Sequence, residues 1–256
     1  MRIVVLGGSA AGPNTGAGCA GFLVSEGDTS IVIDLGPGTL LELRKHVDYR
    51  SLSGIVISHY HLDHILDLGA LRYLAMYNPE PIDRKIPLRV PPGSSRRFAQ
   101  WTRAFADEDG QGFLDTVFDI TEYDPDQTLV VESISVRFAR TVHPVPAWAI
   151  RVTGSGPGEF GYTADTGPTA DLTEFFRGVS LLASEATEPA NTSQAREMRG
   201  HLTPAEAGKL ATNSDAKALI LTHRWEELGL DQAANEASAE FRGPIAIAKP
   251  GLTVFV

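Results

Sequence analysis

One cysteine, Cys19, stands among 256 residues, so no internal disulfide can form, and a lone thiol fits a reducing compartment. Long apolar runs are missing too. None approaches the roughly 20 residues needed to span a bilayer, and no membrane partner is expected. The opening "MRIVVLGG" carries one basic residue and a short apolar run into glycines, which reads as a first strand and not as a signal peptide; the cytoplasm is the default location. Basic residues are in short supply: 22 Lys and Arg against 32 Asp and Glu give a net charge of −10, which disfavours general binding to a polyanion such as nucleic acid. The glycine turn "LGGSAAG" (6–12) lacks a following helix and a GKS or GKT ending, so it is no phosphate-binding P-loop. Low-complexity tracts and long linkers are also absent. With 43% hydrophobic residues the chain can bury a sizeable core, and residues 1–256 read as one domain.

Short β-branched runs bounded by glycine read as strands at 2–7, 21–26, 30–36 and 54–58, with a hairpin signal at Gly27-Asp28 between the second and third. Helical spacing covers 39–47, with His46 at its end, and 64–77, which Asn78-Pro79 terminates. The middle reads as a strand at 86–90, a helix at 94–106, a loop "DEDGQG" at 107–112 and a meander over 128–143, 147–153 and 160–165. Strand and helix then alternate at 179–187, 203–213, 218–223, 232–241, 245–248 and 252–256. Thr203, Pro204 and Glu206 form a capping-box start. Strands followed by helices, twice over, favour two sheets between helix layers, although periodicity alone admits either α/β or α+β.

Three of the seven histidines fall within six positions in "ISHYHLDHILDL" (57–68), where an apolar strand ends. In an extended segment residues i and i+2 point the same way, so His59 and His61 can face one point. Asp63 and His64 follow a turn and can face a neighbouring point. Imidazole suits zinc and other divalent ions, and an added carboxylate suits a hydrolytic site. Two metals need further ligands. His143 in "RTVHP", Asp165 in "YTADTGP" and His223 in "LILTHR" each follow a strand-like run. The natural sharing puts His59, His61 and His143 on one ion and Asp63, His64 and His223 on the other, with Asp165 bridging. The basic stretch 84–103 reads as a solvated face, with contact to a substrate phosphate as the alternative, and Cys19 as a packed thiol.

"SHYHLDH", followed by "VHP", "YTADTGP" and "LTH", resembles the metallo-β-lactamase superfamily, whose signature is HxHxDH. The resemblance covers nearly the whole chain. It implies an α+β fold, a four-layer αββα sandwich, and a dinuclear centre with the ligand sharing given above. The opening "LGGSAAGPNTGAGCAGFLV" and "IDLGPGTLLEL" are similar to the branch that includes the tRNA 3′-end-processing endonucleases, tRNase Z. "LLASEAT" and "GHLTPAEAG" resemble that branch's HEAT and HST segments, which implies that Glu185 is an acidic partner and His201 an active-site histidine that binds no metal.

The chain departs from that branch in one respect. The tRNA-processing enzymes carry a protruding arm between the equivalents of His143 and Asp165, and here only the 21 residues 144–164 intervene. The arrangement is therefore similar to small arm-less phosphodiesterases, including atypical cyclic-nucleotide phosphodiesterases. The expected activity is hydrolysis of small phosphodiesters such as cyclic nucleotides by a water that two divalent ions activate, zinc first, with manganese or iron as alternatives. Asp63, Glu185 and His201 are the expected catalytic residues, Asp63 orienting the attacking water as well as binding metal. The alternatives are a tRNA 3′-processing endoribonuclease, a hydrolase of lactones or thioesters, and a metal-binding protein with vestigial activity. The resemblance also suggests a homodimer.

Overall fold

Both faces of the first strand are buried. In β1 (Arg2–Gly7) Val4 and Leu6 point one way and Ile3 and Val5 the other, the period-two pattern of a strand covered on both sides. β1 pairs antiparallel with β2 (Gly21–Glu26), and a turn at Gly27-Asp28 returns the chain as β3 (Thr29–Ile33). Gly27 adopts a φ of +58° there, which a side chain would disfavour. β4 (Gly54–Val56), β5 (Ile86–Val90) and β6 (Phe118–Glu122) then add in parallel. β7 (Leu129–Val131), β8 (Ile134–Arg140), β9 (Trp148–Thr153) and β10 (Glu159–Tyr162) form an antiparallel meander. β11 (Leu181–Glu185), β12 (Leu219–Thr222) and β13 (Ile245–Ile247) extend it in parallel, and β14 (Thr253–Phe255) returns to pair with β1. The result is two seven-stranded sheets, in the orders β14-β1-β2-β3-β4-β5-β6 and β13-β12-β11-β10-β9-β8-β7. This computed structural model describes residues 1–105 and 113–256; the loop read at 107–112 lies outside them.

Three apolar cores separate four layers. Phe22, Ile31 and Ile33 of the first sheet meet Ile150, Phe160 and Tyr162 of the second in the central core, where the Phe22 ring lies 5.0 Å from that of Tyr162. Helices α1 (Thr39–Leu43), α2 (Leu62–Ile65), α3 (Asp67–Tyr77) and α4 (Ser94–Phe105) cover the outer face of the first sheet. Helices α5 (Pro204–Asn213) and α6 (Leu230–Ser238) cover the second. The αββα sandwich is thus present. No helix among the described residues is long and apolar enough to cross a membrane.

Three local readings change. The helix expected over 39–47 ends at Leu43: beyond it the backbone tightens to i→i−3 bonds, Lys45 N–H to Glu42 O and His46 N–H to Leu43 O, a turn across which the Glu42 carboxylate reaches Lys45 and His46. His46 therefore lies beyond the helix it was expected to end. The helix expected over 64–77 starts earlier, at Leu62, and divides at Leu66. β6 carried no strand signal strong enough to read: it is an edge strand in which only Phe118 is fully buried.

Candidate metal centre

Within each sheet the parallel strands end along one edge, and in open α/β arrangements ligands bind outside such carboxyl ends. His59, His61, Asp63 and His64 follow β4; Asp165 follows β10; Glu185 ends β11; His223 follows β12. His143 follows β8, which runs the same way as β10 because both pair antiparallel with β9. Asp63 and His223, 160 positions apart in the chain, thereby meet at one edge of the sandwich.

The first group is His59, His61, His143 and Asp165. His59 Nε2 lies 3.2 Å from His61 Nδ1, and His143 Nε2 lies 3.0 Å from the same nitrogen. Asp165 Oδ2 is 3.5 Å from His59 Nε2 and 3.7 Å from His143 Nε2. A tetrahedral zinc site with bonds of about 2.0–2.1 Å has ligand–ligand edges of about 3.3–3.4 Å, and these separations bracket that length. The second group is Asp63, His64, Asp165 and His223. Here Asp63 Oδ2 lies 2.9 Å from His223 Nε2 and 3.3 Å from His64 Nε2, and Asp165 Oδ1 lies 3.4 Å from His64 Nε2.

Outer partners set which nitrogen of each imidazole faces inward. The Gly200 carbonyl can only accept, so His143 Nδ1, 3.0 Å away, carries the hydrogen. The buried Asp34 carboxylate accepts from His64 Nδ1 at 2.7 Å and from Ser58 Oγ at 2.7 Å. Ser58 Oγ, having donated its hydrogen, accepts from His59 Nδ1 at 3.0 Å. Nε2 of His59, His64 and His143 is left to bind a cation. Within hydrogen-bonding reach, His64 Nε2 and Asp165 Oδ1 have no partner among the described residues, although both atoms are buried and 3.4 Å apart. An acceptor pair in that state suits a shared cation.

The electrostatics agree for the two carboxylates and for His59. At His64 burial opposes protonation, but the Asp165 and Asp34 charges outweigh it and raise its pKa well above the usual range, so a cation bound there would displace a proton. Burial opposes ionisation of Asp165, but the surrounding His223, His64 and His59 outweigh it and hold the carboxyl well below the usual range. Burial likewise opposes ionisation of Asp63, and the hydrogen bond from His223, with His64 beside it, holds its carboxyl low. Burial keeps the His59 imidazole neutral, helped by the neighbouring His64, so its lone pair is available to a metal. Cys19 is buried, and desolvation together with the Asp63 charge pushes its thiol up to about 12; it is inert.

His201 and Glu185 stand against this cluster. His201 Nδ1 donates to Glu185 Oε1 at 2.9 Å. Glu185 is fully buried and accepts also from the backbone N–H groups of Thr166, Leu202 and Thr187. The His201 ring lies nearly parallel to that of His223, with centroids 5.6 Å apart, and its side chain is 26% exposed. Burial pushes its pKa down, but the Glu185 charge and hydrogen bond dominate and lift it to about 9. The loop that carries it is anchored by the Arg199–Glu206 fork, with bonds of 2.7 and 2.6 Å, and by the capping box at Thr203.

Sequence reasoning missed Asp34, Ser58 and Thr187. Asp34 was visible as a carboxylate closing the apolar run "SIVIDLG", and Ser58 as the neighbour of His59; Thr187 gave no signal. The Thr187 hydroxyl has one hydrogen. It donates to Glu185 Oε2 at 2.8 Å and accepts from His223 Nδ1 at 2.7 Å, which leaves His223 Nε2 facing Asp63. Removing such an orienting partner costs about 10–100-fold in metal affinity. Thr187→Val is expected to show a loss of that size in a chelator competition, and Thr187→Ser to restore most of it; equal affinities for wild type and Thr187→Val would remove this role.

Strain is concentrated here as well. Asp34, Ala164 and His223 are three of the five non-glycine described residues with positive φ, at 55°, 50° and 54°. Each such conformation costs about 1–3 kcal/mol unless its surroundings enforce it. Close approach matters at Gly36: a Cβ there would lie 1.8 Å from the Asp63 carbonyl oxygen, so only glycine lets that loop pass beneath the histidine cluster.

Residues 29–224 match a family described as the beta-lactamase superfamily domain. The chain is 30% identical over 253 residues to the probable metallo-hydrolase YhfI of Bacillus subtilis, covering 98% of each. The crystal structure of that metallo-beta-lactamase fold protein superposes with a TM-score of 0.85, over 99% of each chain at 28% identity. Human tRNase Z, short form, has the same fold, with a TM-score of 0.74 at 20% identity over 100% of this chain and 99% of that one. Ribonuclease Z of Salinispora arenicola is 24% identical over 303 residues, covering 99% of this chain and 95% of its own.

Proposed function

Because the chain belongs to the beta-lactamase superfamily, on the tRNase Z-like branch of its metallo-hydrolases, we propose that it is a phosphodiesterase of small phosphodiesters such as cyclic nucleotides. The reading assigns two divalent ions, zinc first, to the two donor groups, with Asp165 shared. The observation that carries it is the Glu185–His201 pair, held 2.9 Å apart beside those groups and used by neither.

Divalent ions at such a site lower the pKa of water toward neutrality and offset charge on phosphoryl oxygens. Two carboxylates, Asp63 and Asp165, against two dications leave a net positive centre, which attracts an anionic phosphodiester. Asp63 directs Oδ2 at His64 and His223; its other oxygen makes no hydrogen bond to the described residues and can accept one from the attacking water. His201 Nδ1–H is held by Glu185, so Nε2–H is the group that meets the substrate. It gives its proton to the departing oxygen as the P–O bond breaks. Glu185 stabilises the charged imidazole before the transfer and keeps its orientation after it.

A second reading, tRNA 3′ processing, is favoured by the likeness to ribonuclease Z of Salinispora arenicola. Against it stand the net charge of −10 and the short span 144–164, which is taken up by β9, β10 and their connections. A polyanion bound without a basic surface loses its main source of affinity, the release of counterions. Zinc-loaded protein is expected to hydrolyse bis(p-nitrophenyl) phosphate and cyclic nucleotides well and pre-tRNA poorly. Efficient, site-specific 3′ cleavage of pre-tRNA would replace the first reading with the second; turnover of lactones or thioesters alone would end both.

A further inference from the structure

We infer that the cleft between α2 and α4 is the subsite for the aromatic base of a nucleoside phosphodiester, an inference that rests on the phosphodiesterase reading. Tyr60 alternates with His59 and His61 and so projects to the opposite side of the extended segment, toward α4. Its hydroxyl bonds to Ser94, its ring lies 6.1 Å from that of Phe98, and the Arg97 guanidinium carbon sits 5.3 Å from its centroid. The open cleft there measures about 230 Å³, and Tyr60, Leu62, Ile65, Arg97, Phe98 and Trp101 are among the residues that line it.

Its position is what matters. Leu62 lies between His61 and Asp63 in the chain and is 59% exposed, a large apolar side chain that belongs to none of the three cores. It forms a ridge with the metal centre on one side and the aromatic cleft on the other. A substrate that straddles Leu62 places its phosphate at the centre and a planar group against Tyr60 and Trp101. Charge supports the same occupant. In a chain of net charge −10, Arg97 forms no ion pair with a described carboxylate and stands at this mouth. A cation there favours an anionic ester over a neutral one, and a guanidinium plane stacks on bases as aromatic rings do.

Stacking of one base on an aromatic side chain changes affinity about 5- to 150-fold. The test is the affinity of zinc-loaded protein for AMP relative to ribose 5-phosphate, measured by calorimetry. AMP is expected to bind at least about 10-fold tighter. Trp101→Ala is expected to cut that ratio by about 5-fold or more, and Trp101→Phe, which keeps an aromatic face, to retain most of it. A ratio near one in the wild type, or a ratio that Trp101→Ala leaves unchanged, overturns the subsite. Turnover of phosphodiesters is read separately. A Trp101-dependent preference for AMP without any phosphodiester turnover supports the subsite and sinks the reaction; turnover with a ratio near one does the reverse.

Discussion

Asp165→Ala is expected to lower zinc from about two equivalents to below one and to bring turnover down to that of the metal-free protein. Asp165 is 1% exposed and lies between the two donor groups. Its Oδ1 faces His64, and its Oδ2 faces His59, His143 and His223 within 3.7 Å. Among the described residues no other side chain belongs to both groups, so its removal opens both at once. The five imidazoles that remain bring no compensating negative charge, and repulsion between two dications is then offset by Asp63 alone. Elemental analysis of reconstituted protein, alongside the turnover assay, measures both effects. Asp165→Asn keeps the shape and removes the charge, and is expected to fall between wild type and alanine in metal content. Retention of two equivalents by Asp165→Ala would show that this carboxylate is not shared.

His201→Ala is expected to keep both metals and lose about 10²–10⁴ in phosphodiester turnover, the contribution of a positioned acid–base group. The His201 side chain makes no hydrogen bond to any of the five candidate ligand imidazoles; its Nδ1 is committed to Glu185, and its remaining nitrogen is the part available to substrate. Its elevated pKa keeps it protonated at neutral pH, the state a proton donor requires. Glu185→Gln is expected to do part of the same damage. An amide offers one acceptor oxygen where the carboxylate offers two, and Glu185 serves His201, Thr187 and three backbone N–H groups with both. That variant therefore loosens the loop as well as the imidazole. Wild-type turnover by His201→Ala would make His201 a structural residue and remove the reason for preferring phosphodiesters to lactams or thioesters.

The comparison with YhfI and the ribonuclease Z proteins reaches as far as family and fold, and the metallo-hydrolase class follows from it. The substrate is a matter of this chain's own side chains: the short span between β8 and β10, the Glu185–His201 pair, and the aromatic cleft beside Leu62.

The sequence by itself determined what short-range geometry controls. Alternation in "SHYHLDH" puts His59 and His61 on one side and Tyr60 on the other, because a strand has a period of two. Gly27-Asp28 specifies a hairpin, and Thr203 with Glu206 caps α5, because both devices act over two to four residues. The tertiary structure decided the rest. Asp63 and His223 are 160 positions apart, and nothing local in either segment places them 2.9 Å from each other; two sheets packed on a common core do so, by aligning their strand ends along one edge. The partners of the histidines were likewise illegible. Whether Thr187 bonds His223, or Asp34 bonds His64, depends on which buried polar groups the packed sheets leave to satisfy one another, and an unsatisfied buried donor or acceptor is too costly to persist. β6 escaped reading for the same reason: its half-polar pattern becomes a strand only because β5 lies beside it with backbone groups to pair.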